Sequence, residues 1–179
     1  MAERDDAVLK LIGTALVLIA GTLAGFAKAK ELADRPQQIR ELVHALQSLA
    51  TEIGYGFTPL PQALGKLGKR LSAPLSALFQ ATSEQLSMAQ GLSVDEVWRE
   101  NVLLLWPKTA LRRTEKEILL QLGAILGASG KEDQLKHLHL AIHELQREEA
   151  EALEERRRYE KMWKSLGFLL GALVVIVLY

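Results

Sequence analysis

Residues 35–54, RPQQIRELVHALQSLATEIG, decide how the chain is read. Ile39, Leu42, Val43, Leu46, Leu49, Ala50 and Ile53 recur at the steps that line one face of an α-helix. Pro36 suits the first turn of that helix, where a missing N–H is harmless, and Gly54 with Gly56 ends it. A strand would need period-two alternation, and no stretch of the chain alternates over a strand length.

The same period continues downstream. Pro59 and Pro61 open a short helix with Leu60, Ala63, Leu64 and Leu67 inside. A third helix is expected from about Ala73 to Met88, with Leu75, Leu78, Phe79, Thr82 and Leu86 on its inner face. Gln90-Gly91 breaks it. Ser93-Val94-Asp95-Glu96 forms a capping box, hydroxyl at the cap and carboxylate three residues on. The fourth helix it starts carries Val94, Val97, Trp98 and Val102 and ends near Pro107. A fifth is expected over Thr109 to Ala128, with Leu111, Ile118, Leu122, Ile125 and Leu126 inside and Ser129-Gly130 after it. The last starts near Glu132 and continues through Trp163. The fold class expected is all-α: an antiparallel bundle of about six helices, because short loops join neighbours that run in opposite directions.

Upstream and downstream of the bundle the chain changes character. A quarter of its 179 residues are charged, yet 49% are hydrophobic. The apolar excess is concentrated at the ends. Leu11 to Phe26 and Leu166 to Tyr179 hold no charge. A helix of the first length spans about 24 Å, against a hydrocarbon core of roughly 30 Å. Ala7 to Leu9 lengthen it if Lys10 snorkels. Trp163 and Tyr179 bracket the second. The expected organisation is a short leader (1–10), a transmembrane helix (11–27), a cytosolic bundle (28–164) and a second transmembrane helix (165–179). Ala27-Lys28-Ala29 has the form of a cleavage site, but Glu3, Asp5 and Asp6 replace the basic leader of a signal peptide, so an uncleaved anchor is expected. Lys28, Lys30, Arg35 and Arg40 follow the first segment, and Arg156, Arg157, Arg158, Lys161 and Lys164 precede the second. The positive-inside rule therefore places the bundle in the cytosol and both termini outside.

Chemistry is sparse. Twenty-two basic residues balance 22 acidic ones, which argues against a nucleic-acid partner. There is no cysteine, hence no thiolate nucleophile or disulfide. Gly65-Lys66-Leu67-Gly68-Lys69 has the wrong spacing for a P-loop and no strand before it. His139 and His143 share a helix face, but they supply only part of a zinc site and enclose Leu140, Ala141 and Ile142 rather than a glutamate base; His137 lies on another face. No catalytic residue, metal ligand or cofactor site is expected. The acids Glu144, Glu148, Glu149, Glu151, Glu154 and Glu155, with Arg147 among them, are expected on a solvated helix face. Arg156, Arg157, Arg158, Lys161 and Lys164 are candidates for contact with lipid head groups. Lys108, Arg112, Arg113 and Lys116 are the candidate docking patch for a protein partner. Gly21 with Gly25, and Gly167 with Gly171, are candidates for close helix packing in the membrane.

Several stretches resemble the stage III sporulation protein AB family of endospore-forming bacteria, over nearly the whole length from Leu9. They are Leu9 to Gly13, Ala20 to Phe26, Arg35 to Leu42 with Leu46 to Leu49, Glu52 to Gly56, Thr58 to Pro61, Asp133 to Leu138 and Tyr159 to Gly167. Met1 to Asp6 looks like a local extension. The family is in turn similar to the cytoplasmic helical domain of type II secretion platform proteins, whose glycine turn and Pro-Leu-x-x-Ala-Leu helix are matched by Gly54 to Leu64. Gly91-Leu92-Ser93 matches a later element. Gly127 to Gly130 echoes the platform Gly-Glu-x-x-Gly loop without its glutamate. The resemblance implies a scaffold of the channel between mother cell and forespore. It would lie in the outer forespore membrane with the bundle in the mother-cell cytosol. Its implied partners are a secretion-type ATPase and other channel membrane proteins. Homo-oligomers fit the same picture. Two other function classes are set against it: a lipid-surface adaptor acting through Arg156 to Lys164, and a membrane enzyme using His137, His139 or His143.

Overall fold

A computed structural model describes residues 2–55, 58–88, 91, 93–128 and 130–178. Within α1 and α6, the side chains of residues 2–12, 14, 15, 17, 18, 160, 161, 164, 166–168 and 170–178 lie outside the description. The elements are α1 (Ala2–Tyr55), α2 (Leu60–Gly68), α3 (Leu75–Met88), α4 (Val94–Leu105), a 3-10 turn (Trp106–Lys108), α5 (Arg113–Ile125) and α6 (Lys131–Leu178). Among the described residues there is no strand, as the apolar period required.

The chain forms two compact units. One comprises residues 1–34 and 152–179, the other residues 35–151. In the first, Ala29, Leu32 and Ala152 are buried. Among the described residues no helix is long and apolar enough to cross a membrane. The expected spans 11–27 and 165–179 fall on α1 and α6, and many of their side chains are among those outside the description.

The second unit is the bundle. Its core takes Ile39, Leu42, Leu46 and Leu49 of α1, Leu64 of α2, Leu75 and Phe79 of α3 and Trp98 of α4 from the faces read in the sequence, and adds Leu119 of α5 with Leu138 and Leu145 of α6, which that reading did not include. Each such side chain contributes roughly 1.5–3 kcal/mol when removed from water. Phe79 and Trp98 meet edge to face at 5.5 Å, and the Trp98 Nε1–H donates to the Leu119 carbonyl at 2.7 Å. The capping box at the start of α4 is formed: the Glu96 N–H donates to Ser93 Oγ at 3.1 Å, and Glu96 returns its carboxylate to the Ser93 N–H.

Three expectations about boundaries need correction. Pro36 does not start a helix; it lies inside α1, which runs unbroken from Ala2. An interior proline loses one backbone hydrogen bond and crowds the preceding turn. Here Arg35 and Ile39 on either side are both buried and hold the backbone helical. Helix α3 starts at Leu75 rather than Ala73, after a turn at Ala73-Pro74. Helix α5 is shorter than Thr109 to Ala128. Arg112 is extended before it, and the chain leaves the helix at Leu126, with Gly127 at φ +90° beyond. Only a glycine adopts that left-handed conformation without strain.

Long helices also serve the loops. Gln38 Oε1 accepts from the Ala110 N–H at 2.9 Å, and Glu41 Oε2 from the Ser72 N–H at 3.1 Å. Both loop donors would otherwise compete for water at the bundle surface.

Candidate functional site

The centre of charge in the bundle is Arg35. It is the third of the four basic residues in the flank read as an orientation signal, and it is buried. Its Nε and Nη2 donate to Glu115 Oε1 at 2.9 and 2.6 Å, and Nη2 also donates to Glu148 Oε2 at 3.0 Å. Glu115 is fully buried, and its other oxygen accepts the Arg112 N–H at 2.8 Å, which caps α5. One guanidinium therefore joins α1, α5 and α6. The fork geometry of arginine suits this role, whereas a lysine would offer a single point charge.

Glu148 corrects the reading of the α6 acids as a solvated face, because it too is buried. Burial raises its pKa above the ordinary carboxylate value. The Glu115 and Glu151 charges push the same way, against the lowering effect of Arg35 and Arg147. Glu149, one residue on, pairs at the rim with the exposed Arg40 at 2.7 Å. Sequence spacing gave no signal for the triad, since the partners are 80 and 113 residues apart.

The candidate docking residues lie along the α4–α5 connection and the first turn of α5. Lys108, Arg112 and Arg113 are exposed, and Lys116 Nζ lies 5.9 Å from the Trp106 ring centroid. Arg113 donates to Glu117 at 2.6 Å, and that carboxylate raises its pKa further. Of the candidate lipid contacts, Arg157 and Arg158 are exposed and Arg156 is half-buried. The side chains of Lys161 and Lys164 lie outside the described residues. Gly25 is buried and Gly21 partly so on α1; Gly167 and Gly171 fall where only the helix backbone is described.

The remaining motifs have packing roles. A Cβ at Gly65 would stand 2.7 Å from Ser83 Oγ, and one at Gly68 would stand 3.0 Å from the Gln80 backbone N. Those glycines let α2 close on α3, where Ser83 Oγ donates to the Pro61 carbonyl at 2.7 Å and Gln80 Nε2 to the Gly68 carbonyl at 3.0 Å. His139 and His143 are exposed, and His137 stands 3.7 Å from Asp133. Among the described residues no three histidines or acids gather at metal-binding range.

The fold and its charges define a class: an all-helical bundle held by a buried arginine between two glutamates, carried on unusually long first and last helices. The chain belongs to the stage III sporulation protein AB family, whose model matches residues 10–179. It is 42% identical over 171 residues to stage III sporulation protein AB of Bacillus subtilis (strain 168), covering 96% of this chain and 99% of that relative. A solved structure of a stage III sporulation protein AB superposes with a TM-score of 0.66 at 39% identity, covering 70% of this chain and 98% of the solved one.

Proposed function

We propose that the protein is a non-enzymatic platform of sporulation. It holds a helical bundle in the mother-cell cytosol and docks a secretion-type ATPase to the membrane complex of the mother cell–forespore channel. The observation that carries this reading is the family match across residues 10–179. The bundle supports it, because its buried charges are consumed in holding three helices together.

In this reading residues 11–27 and 165–179 are two membrane helices of the outer forespore membrane, with the basic flanks on the bundle side and both termini on the other. Gly21 with Gly25, and Gly167 with Gly171, let those helices approach one another or a second copy of the chain. Arg156 to Arg158, Lys161 and Lys164 lie against anionic head groups. Other channel membrane proteins complete the assembly.

The test is co-purification of the full-length chain, solubilised from membranes, with the secretion-type ATPase of the same organism. Retention of the ATPase supports the platform role. Its absence from both the full chain and the isolated bundle contradicts it and favours the alternative, a membrane adaptor that engages no motor.

A further inference from the structure

Helix α4 turns Val97, Trp98, Asn101 and Val102 into the core. Its outward side shows Glu96, Arg99, Glu100, Leu103 and Leu104, at steps of three and four that keep them on one face. Leu103 and Leu104 are 47% and 67% exposed at the middle of that surface. Pro107 and Lys108 extend it into the 3-10 turn. A single exposed leucine is ordinary, but two together set between charged residues form an apolar centre with a polar rim.

The charges of this surface are not equally available. Glu96 is tied into the Ser93 cap, and Arg99 faces Asp95 at 3.7 Å. Beyond the turn, Arg112 is engaged within the chain, Arg113 pairs with Glu117, and Lys116 lies over Trp106. Glu100 and Lys108 remain: among the described residues, neither side chain has an ion pair or a hydrogen bond. They stand four residues before and four residues after Leu104. That is about 6 Å on either side of it along the helix axis, slightly more where the 3-10 turn begins.

A surface of one sign fits a partner of the opposite sign. A row whose free charges reverse sign about an apolar centre fits itself when turned end to end. We infer that the outward face of α4 docks a second copy of this chain, antiparallel about a two-fold axis at Leu104. The two copies of Leu104 meet at the axis with Leu103 beside them, and Glu100 of each copy faces Lys108 of the other. A two-fold contact uses that pair twice, so both free charges of each chain are neutralised. A single helix face is a small interface, below the roughly 1,200 Å² of stable complexes, so the association is weak and falls with added salt. The contact lies wholly within the bundle unit, residues 35–151, and needs neither the membrane helices nor an ATPase. Lys108, a candidate docking residue in the sequence, thereby receives a specific partner.

The chain has no cysteine, so one can be placed at the axis without interference. L104C in the full-length chain, in neutral detergent at low salt, is oxidised with copper phenanthroline; Q62C, exposed on α2, is the control. The expected result is disulfide-linked dimer forming several-fold faster at position 104 than at position 62. Adding E100K or K108E to L104C sets like charges across the axis, and each should slow cross-linking several-fold, the scale of two exposed ion pairs reversed. Mixing those two variants on differently tagged chains restores opposite charges at both ends. The mixed dimer should then form at close to the L104C rate, which also shows that each variant is folded. Cross-linking no faster at 104 than at 62, or no recovery on mixing, overturns the inference. So does slowing by K108E with no effect of E100K, because Lys108 then serves an acidic partner rather than a second copy.

Discussion

Arg35 donates twice to one oxygen of Glu115, at 2.9 and 2.6 Å, from a position next to a proline in the middle of a helix. The contact links α1 to α5, and the Glu148 bond extends it to α6. Neither carboxylate has water to fall back on if the guanidinium is lost.

Arg35→Met should therefore destabilise the bundle by about 3–5 kcal/mol, the range for leaving one side of a buried ion pair uncompensated. Replacing all three members with apolar residues should recover most of that loss, less about 1 kcal/mol for the α5 cap that Glu115 provides. Arg40→Ala, which removes a largely exposed pair with Glu149, should change stability by less than about 1 kcal/mol. Urea denaturation followed by circular dichroism distinguishes the three.

The pH dependence follows from Glu148. Its folded pKa is raised, so the folded state holds a proton that the unfolded state has already released. Stability from this group is greatest below the ordinary glutamate value of roughly 4.3 and is lost as pH rises through the higher folded value. Glu148→Gln keeps an acceptor for Arg35 without the charge. Its stability should fall less than the wild type's over that window, and parallel curves for the two proteins would contradict the assignment.

Gly123 packs directly under Trp98, and a Cβ there would collide with the indole. Gly123→Ala should cost about 1–3 kcal/mol by overpacking, despite the better helix propensity of alanine. A lowered Tm with unchanged helix content at low temperature is the expected signature.

Replacing His137, His139 and His143 together by alanine should leave spore formation intact. Two of the three are exposed and none belongs to the buried charge network. Loss of sporulation with normal accumulation of the protein would reopen the enzymatic reading.

The α-helical faces were legible because burial imposes a period on neighbours in sequence: Ile39, Leu42, Leu46 and Leu49 all reached the core. The Ser93–Glu96 box was legible for the same reason, as its partners are three residues apart. The triad was not. Local rules treat Arg35 as a membrane flank and Glu148 as one acid in a charged run, and only tertiary packing brings them together. Pro36 misled because a proline signals a helix start only when nothing upstream continues the helix, and here α1 continues to Ala2. The two glycines of the apparent phosphate-loop fragment were rejected on spacing; their reason, the close approach of α2 and α3, needed the fold.

We propose that both ends of the chain hold the bundle on the cytosolic face of a membrane. The most direct measurement is a pair of reporter fusions in sporulating cells, one after Lys131 at the start of α6 and one after Tyr179. A cytosolic Lys131 fusion with a Tyr179 fusion on the opposite side is the result this account predicts. A Lys131 fusion on the non-cytosolic side would remove the bundle from the compartment of any cytosolic ATPase and contradict it.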